Sequence, residues 1–268
     1  MNTNQKPAKH RVWPYVLIVA VVIALGLFLL ITRVIGFRYV KLSDEVRFLG
    51  KVKDGAPYSG TVYYADSKAK MEPTETSGVF RLEYEDGGVY EGQMRDLMRD
   101  GEGKMTYAGK DVYEGSFSQD LRQGKGTLYY ANGDRYEGDW KDDLREGQGV
   151  YYYADGSGYT GTFSANMRNG QGTFAWANGD GYTGVWLDDQ MNGRGTFTWA
   201  NGDAYDGDFV AGVREGKGIF TWANGERYEG EFKNNQPNGE GTYTWPAADG
   251  TDGRSYTGHF ENGLIVLP

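Results

Sequence analysis

The stretch that decides the fold is YTGVWLDDQMNGRGTFTWANGDA, Tyr182–Ala204. It holds two short runs in which large and small or polar residues alternate. The first is Tyr182, Gly184, Trp186; the second is Gly193, Gly195, Phe197, Trp199. A period of two belongs to strands, not helices. The stretch closes on Ala-Asn-Gly, and Asn-Gly between alternating runs is the strongest short-range signal for a β-hairpin.

The loop length decides which side chains share a face. If Ala200-Asn201-Gly202 forms a three-residue loop, Trp199 lies opposite Asp203, Phe197 opposite Tyr205, Gly195 opposite Gly207 and Gly193 opposite Phe209. All rings and paired glycines then fall on one face, with Thr196, Thr198, Asp206 and Asp208 on the other. A two-residue loop would split the rings between faces, because a slip of one residue reverses every side chain.

Outward from this stretch the pattern recurs. Tyr-x-Gly begins at Tyr90, Tyr113, Tyr136, Tyr159, Tyr182, Tyr205 and Tyr228, each step 23 residues, with outlying copies at Tyr58 and Tyr256. Asn132-Gly133, Asn178-Gly179 and Asn224-Gly225 fill the same turn, and Asp155-Gly156 takes that slot once. A fixed period repeated this often means a repeat architecture. The segment Tyr136–Gly156, YEGDWKDDLREGQGVYYYADG, resembles the MORN (membrane occupation and recognition nexus) repeat, whose pattern is Tyr-x-Gly-x-Trp/Phe, a variable linker, then Gly-x-Gly and an aromatic. The resemblance covers about 90–245, with weaker ends at 58–89 and 256–268. It implies an all-β fold: an elongated single-layer antiparallel sheet of stacked hairpins, with the aromatics on its concave side. It also implies a module for protein interaction or membrane association. Phe80 stands where the first copy would have its second glycine, Met94 replaces the next aromatic, and residues around Pro246–Arg254 are inserted into the last copy. Irregular outer copies suit caps.

Three ring columns run with the period. The first is Tyr107, Tyr130, Tyr153, Trp176, Trp199, Trp222 and Trp245. The second includes Phe197 and Phe220, and the third Trp140 and Trp186. Rings of a single-layer sheet have only each other to pack on, so part of the stripe is expected to stay accessible, and accessible apolar stripes mark binding sites. These eleven residues form the expected ligand-binding face. Two strands per unit, about 4.8 Å each, put a rung roughly every 9.6 Å, which suits an elongated ligand. Expected ligands are a segment of a partner protein, plausible as a subunit of a membrane complex, or a β-linked polysaccharide.

Before the repeats, Tyr15–Ile31 reads YVLIVAVVIALGLFLLI without a charge, and Trp13–Phe37 is long enough for one transmembrane helix through the lipid bilayer. A cleaved signal peptide is the rival reading, but Thr32–Gly36 offers no small-x-small cleavage site. The chain thus divides into a basic tail (1–12), a span (13–37), a linker (38–57) with a short strand at Val46–Val52, and the array (58–268). The positive-inside rule nearly ties. A charged twelve-residue tail costly to translocate puts the amino terminus in the cytoplasm and the repeats on the extracytoplasmic side.

Nine of the 28 basic residues but three of the 37 acidic ones lie in residues 1–57, leaving 19 basic and 34 acidic residues beyond. A body this acidic repels phosphate backbones, so nucleic acid is not an expected partner. The 15% aromatic content excludes a disordered chain, and the absence of cysteine excludes thiolate metal sites and disulfides. Two histidines, His10 and His259, cannot build a nucleophile–base pair or a multi-histidine metal centre. Glu91, Glu114, Glu137, Glu229 and Asp206 recur at one repeat position, which reads as a solvated face and not as the paired carboxylates of a glycosidase. The Asn-Gly-Asp turns lack the spacing of calcium-binding β-rolls. The sequence therefore points to a binding protein, not an enzyme, with no cofactor or metal.

Overall fold

The computed structural model describes residues 36–246 and 253–267, and all of it is strand, turn and loop. Two compact units divide the chain at Leu97. Residues 1–35 carry most of the expected span and lie outside the described residues; among those described, no helix is long and apolar enough to cross a membrane. One correction falls at the span's inner end. Phe37, assigned from the sequence to the helix, opens a strand.

The first unit is an antiparallel meander of β1 (Phe37–Lys41), β2 (Arg47–Lys53), β3 (Ala56–Tyr63), β4 (Lys68–Pro73), β5 (Val79–Tyr84) and β6 (Val89–Arg95), each paired with the next. The expected linker is thus itself sheet, and β2 covers the anticipated strand almost residue for residue. Its packed face is mainly aliphatic. Phe48 pairs with Val62, Val62 with Ala69, Met71 with Leu82 and Leu82 with Tyr90, and all are buried.

The second unit continues as β7 (Met98–Thr106), β8 (Val112–Ser118), β9 (Leu121–Tyr129), β10 (Arg135–Lys141), β11 (Leu144–Tyr152), β12 (Gly158–Ser164), β13 (Met167–Ala175) and β14 (Gly181–Leu187). Then follow β15 (Gln190–Thr198), β16 (Ala204–Val210), β17 (Val213–Thr221), β18 (Arg227–Lys233), β19 (Gln236–Thr244), β20 (Ser255–Glu261) and β21 (Leu264–Ile265). Successive strands pair antiparallel throughout in a single layer.

The register is the one the three-residue loop requires. Phe197 pairs with Tyr205, Gly195 with Gly207 and Gly193 with Phe209. Around the loop, the Gly202 amide donates to the Trp199 carbonyl at 2.9 Å, the Trp199 amide donates to the Asp203 carbonyl at 2.9 Å, and Gly202 has φ +95°. That is a type I turn followed by a left-handed residue, a place where glycine costs least.

Sequence reasoning did not foresee the other connection. β14 and β15 are joined through Asp188 and Asp189, with φ of 47° and 66°, and Leu187 pairs with Gln190. Two consecutive left-handed residues make a type I′ hairpin, built here on Asp-Asp instead of Asn-Gly. The same strained pair recurs at Asp142-Asp143, Ala165-Asn166 and Asn234-Asn235. Each strained residue costs about 1 kcal/mol or more, so something must hold these turns.

The glycine pairs make room for the tyrosines. A Cβ on Gly195 would lie 2.4 Å from the Tyr182 hydroxyl oxygen, and equivalent close approaches hold at Gly126, Gly149, Gly172, Gly218 and Gly241. Each Tyr ring lies across two bare backbones and donates its hydroxyl hydrogen to the carbonyl three residues on, as from Tyr182 to Val185 at 3.0 Å and from Tyr205 to Asp208 at 3.1 Å. Tyr-x-Gly is therefore one packing unit: the ring fills the space that the glycines leave.

Candidate functional site

The ring-bearing face of the second unit carries two files of aromatics and a column of arginines. The inner file runs unbroken from Phe117 through Tyr113, Trp140, Tyr136, Phe163, Tyr159, Trp186, Tyr182, Phe209, Tyr205, Phe232 and Tyr228 to Phe260 and Tyr256. Its centroids are 4.9–5.8 Å apart and its planes cross at 72–90°. Edge-to-face contacts of this kind add about 0.5–1.5 kcal/mol each beyond area burial. Nearly all of these rings are buried. Trp140 and Trp186 are 4% and 3% exposed, and their indole N–H groups donate to the Gly126 and Gly172 carbonyls at 3.1 and 3.2 Å. These two were expected on the binding face. They belong to the core, because bulge geometry opposite Gly184 and its equivalents packs the third ring column against the tyrosines.

The outer file is the ladder read from the sequence. Tyr130, Tyr151, Tyr153, Phe174, Trp176, Phe197, Trp199, Phe220, Trp222, Tyr243 and Trp245 follow one another in contact. Centroids are 4.5–4.6 Å apart within a repeat and 5.2–5.8 Å between repeats, with planes tilted by 34–52°. Tyr107, Tyr130, Tyr153, Trp176, Trp199, Trp222, Trp245, Phe197 and Phe220 are all half-buried. Apart from Phe174, which is buried, the rings from Tyr130 to Trp245 are flanked by their neighbours and partly accessible. The sequence separates inner from outer file only by position in the repeat; burial separates them by role.

An arginine column lies between the files, and sequence reasoning overlooked it. Arg99, Arg122, Arg145, Arg168 and Arg214 recur with the 23-residue period or a multiple of it. Arg168 sits 4.3 Å from the Trp186 ring centre and 5.2 Å from that of Phe174. Its backbone N–H and Nε each donate to Asp189 Oδ1, at 2.9 and 2.8 Å, and its other guanidinium nitrogen donates to the Asp189 carbonyl at 2.8 Å. Asp189 is the second strained residue of the next type I′ turn. Arg122 clamps Asp143 in the same way, and Arg145 and Arg214 use Asn166 and Asn235. Where the column holds Met191 or Pro237, the turn residue is Gly212 or Gly263, and a single backbone bond remains at each. Arginine and Asp/Asn thus appear together and vanish together within one chain. The missing clamp leaves a cleft of about 510 Å³ lined by Trp176, Phe174, Arg168, Met191 and Gly212. A narrower cleft of about 290 Å³ lies between Tyr107, Arg99 and Arg122.

Charge along the ladder is set by the turns. Asp180 Oδ1 accepts from the Ala200 amide and Asp203 Oδ1 from the Ala223 amide, both at 2.9 Å, which ties each Asn-Gly-Asp turn to the next. Tyr151 donates to Asp134 at 2.8 Å, placing this carboxylate row on the ring face. Among the described residues no three metal-ligating side chains gather. Burial pushes up the phenols of Tyr107, Tyr130 and Tyr153, against the opposing pull of Arg122, Arg145 and Arg168 respectively. Tyr243 rises to about 12, first through burial and then through its bond to Glu226. Burial lowers Arg214, whose turn partner is a neutral asparagine.

The carboxylates of the repeated Glu/Asp position lie on the opposite, solvated face in exposed ion pairs. Examples are Lys104–Glu114 at 2.7 Å and Arg227–Glu229 at 2.7 Å, and Arg194 pairs with Asp206. Such pairs add little stability.

A family model described as the MORN repeat matches residues 90–112, 113–135, 136–158, 159–181, 182–204, 205–227 and 228–247. No curated protein matches the chain. Among solved structures, the TCP domain of SAS-4 (dCPAP) of Drosophila melanogaster, in complex with a proline rich motif of Ana2 (dSTIL), is 18% identical. The match covers 62% of this chain and 90% of that one, with a TM-score of 0.40. The wild-type TCP10 domain of Danio rerio CPAP is 11% identical over 71% of this chain and 95% of its own, TM-score 0.37. A streptogramin B lyase is 11% identical over 84% of each chain, TM-score 0.16. At these values the three likenesses say nothing of what this chain binds.

Proposed function

Since the chain belongs to the MORN repeat family, we propose that it is a non-catalytic, membrane-anchored scaffold whose ring face captures an elongated segment of a partner protein. The observation that carries this reading is the outer file. Apolar rings run in continuous contact from Tyr130 to Trp245, all of them half-buried except the buried Phe174, along one side of a single-layer sheet. A stripe of that length without a second layer over it suits an extended ligand.

The uncharged segment Tyr15–Ile31 supplies the anchor, and the short basic tail keeps the amino terminus in the cytoplasm. A partner already in the membrane, as part of a complex, then meets the array at high local concentration. A β-linked polysaccharide is the weaker reading. Sugar faces need an open ring face, whereas Trp176, Trp199 and Trp222 are each flanked by rings 4.5–4.6 Å away on one side and 5.2–5.3 Å on the other.

The test is affinity capture from membranes with the full chain, against variants Trp199→Ala and Trp222→Ala. Both variants are expected to lose the partner recovered by the parent chain, with near-parental sheet content by circular dichroism. Equal recovery by all three would refute the ring face as the capture surface. Protease added outside sealed cells is expected to digest the repeats without permeabilisation if the proposed topology holds, and only after permeabilisation if the array is cytoplasmic.

A further inference from the structure

Polar chemistry on the outer file narrows the kind of segment. Trp140 and Trp186 spend their indole N–H groups on backbone carbonyls. Trp176, Trp199, Trp222 and Trp245 have no acceptor for theirs among the described residues. Nor are these nitrogens among the buried polar atoms lacking a partner; that description fits Arg145 Nε alone among the described residues. Four indole donors therefore reach the surface in one column, one per repeat. Beside them runs the row of carboxylates. Asp180 and Asp203 each accept from a backbone amide through Oδ1 and from the neighbouring asparagine side chain through Oδ2, so among the described residues no cation neutralises either of them, whereas Asp134 and Glu226 also accept from Tyr151 and Tyr243.

We infer that the segment held on this face is a proline-rich, basic stretch wound as a polyproline II helix. Its carbonyls accept from the indoles of Trp176, Trp199, Trp222 and Trp245, and its Lys or Arg side chains meet Asp180 and Asp203. The inference rests on the protein-capture reading and specifies its ligand.

Three physical arguments favour this conformation over its rivals. The first is hydrogen-bond supply. A surface that offers donors wants a ligand with free acceptors, and polyproline II leaves its carbonyls unbonded while proline removes the N–H that would otherwise be orphaned. An α-helix consumes its own carbonyls, and an added β-strand needs acceptors as well as donors. The second is pitch. Three residues of polyproline II advance about 9.3 Å, and one hairpin advances about 9.6 Å, so across the three intervals from Trp176 to Trp245 the two drift by only about 1 Å. Two turns of α-helix advance about 10.5–11 Å and drift by roughly 3–4 Å over the same distance. The third is shape. Rings tilted by 34–41° between repeats form a corrugated surface and not a flat platform, which suits the ridged outline of a polyproline II helix. The acidic row and the acidic body select a basic ligand.

The experiment is a fluorescence-anisotropy titration of the full chain with (Pro-Pro-Lys)n of about twelve residues. The comparators are (Pro-Pro-Glu)n and an Ala-Leu-Lys helical peptide of equal length and charge. The Lys peptide is expected to bind at least tenfold more tightly than either comparator. Trp199→Phe and Trp222→Phe keep a ring but remove the donor, and each is expected to weaken binding about fivefold. Asp203→Asn is expected to weaken the Lys peptide as well. Unchanged melting curves guard against misfolding. Equal or tighter binding of the helical peptide, or phenylalanine variants with parental affinity, overturns the inference while leaving protein capture by the ring face intact. Absence of binding by all three peptides also overturns it, and the Trp→Ala capture experiment then decides the broader reading independently.

Discussion

Gly195→Ala tests the logic of the whole array with one methyl group. The added Cβ would stand 2.4 Å from Tyr182 Oη, 2.5 Å from Cε2 and 2.6 Å from Cζ, where ordinary contact is about 3.5–4 Å. The ring must therefore move by about 1 Å. It has little freedom to do so: Tyr182 is 1% exposed, its hydroxyl donates to the Val185 carbonyl, and the Trp186 and Phe209 rings meet it at 5.2 Å each. Overpacking of this kind costs about 1–3 kcal/mol. Losing the buried hydroxyl's bond adds about 1 kcal/mol. Relief of glycine's unfolded-state entropy returns about 0.5–1 kcal/mol. The expected loss is about 2–3 kcal/mol. Because repeats touch only their neighbours, it should be concentrated in β14, β15 and β16. Urea titration with residue-resolved amide exchange reads both quantities, and in a Tyr182→Ala background most of the cost should vanish. A parental midpoint, or the same loss in both backgrounds, would show that the tyrosine does not occupy the glycines' space.

Further outcomes follow from the clamp, from titration and from the ladder. Installing the missing clamp by Met191→Arg with Gly212→Asp copies the Arg168–Asp189 arrangement. It should stabilise the chain by about 0.5–1.5 kcal/mol in thermal melts, with either single change doing less than half as well. Equal effects of single and double substitutions would deny the coupling. Tyr159, Tyr182, Tyr205 and Tyr228 are pushed up to about 12 by burial. Unfolded phenols lose their protons near 10, so between pH 10 and 12 the native state binds more protons than the unfolded one. Stability should be unaffected below pH 10 and fall through that window, with the ultraviolet absorbance change of tyrosinate lagging until the chain unfolds. Tyrosinate forming in step with free tyrosine, without unfolding, would contradict this. Trp186→Phe deletes a buried indole bonded to the Gly172 carbonyl and should cost about 1–2 kcal/mol. Trp199→Phe, whose indole N–H has no partner among the described residues, should be nearly neutral.

Much of the site could be read before any coordinates, and the parts that could not share a cause. Tyr-x-Gly at a 23-residue step, with Ala-Asn-Gly turns, determined a hairpin array, its loop type and its face. These are local constraints: Gly202 must be left-handed, and pairing Phe197 with Tyr205 follows by counting outward. The same counting could have exposed Arg122, Arg145 and Arg168, since they keep the period. Their partners lie 21 residues away in the next hairpin, and only stacking brings a guanidinium onto the Asp143 or Asp189 turn.

Tertiary structure alone decided which rings are free. Trp186 and Trp199 are both aromatic at even register and both on one face, yet one is sealed and spends its N–H on Gly172 while the other keeps its N–H at the surface. What separates them is the bulge that brings the Trp186 column against the tyrosines of neighbouring hairpins, a non-local packing choice. Periodicity assigns a side chain to a face of the sheet, because that depends only on backbone alternation. Whether the side chain is then covered depends on what the next repeat lays over it.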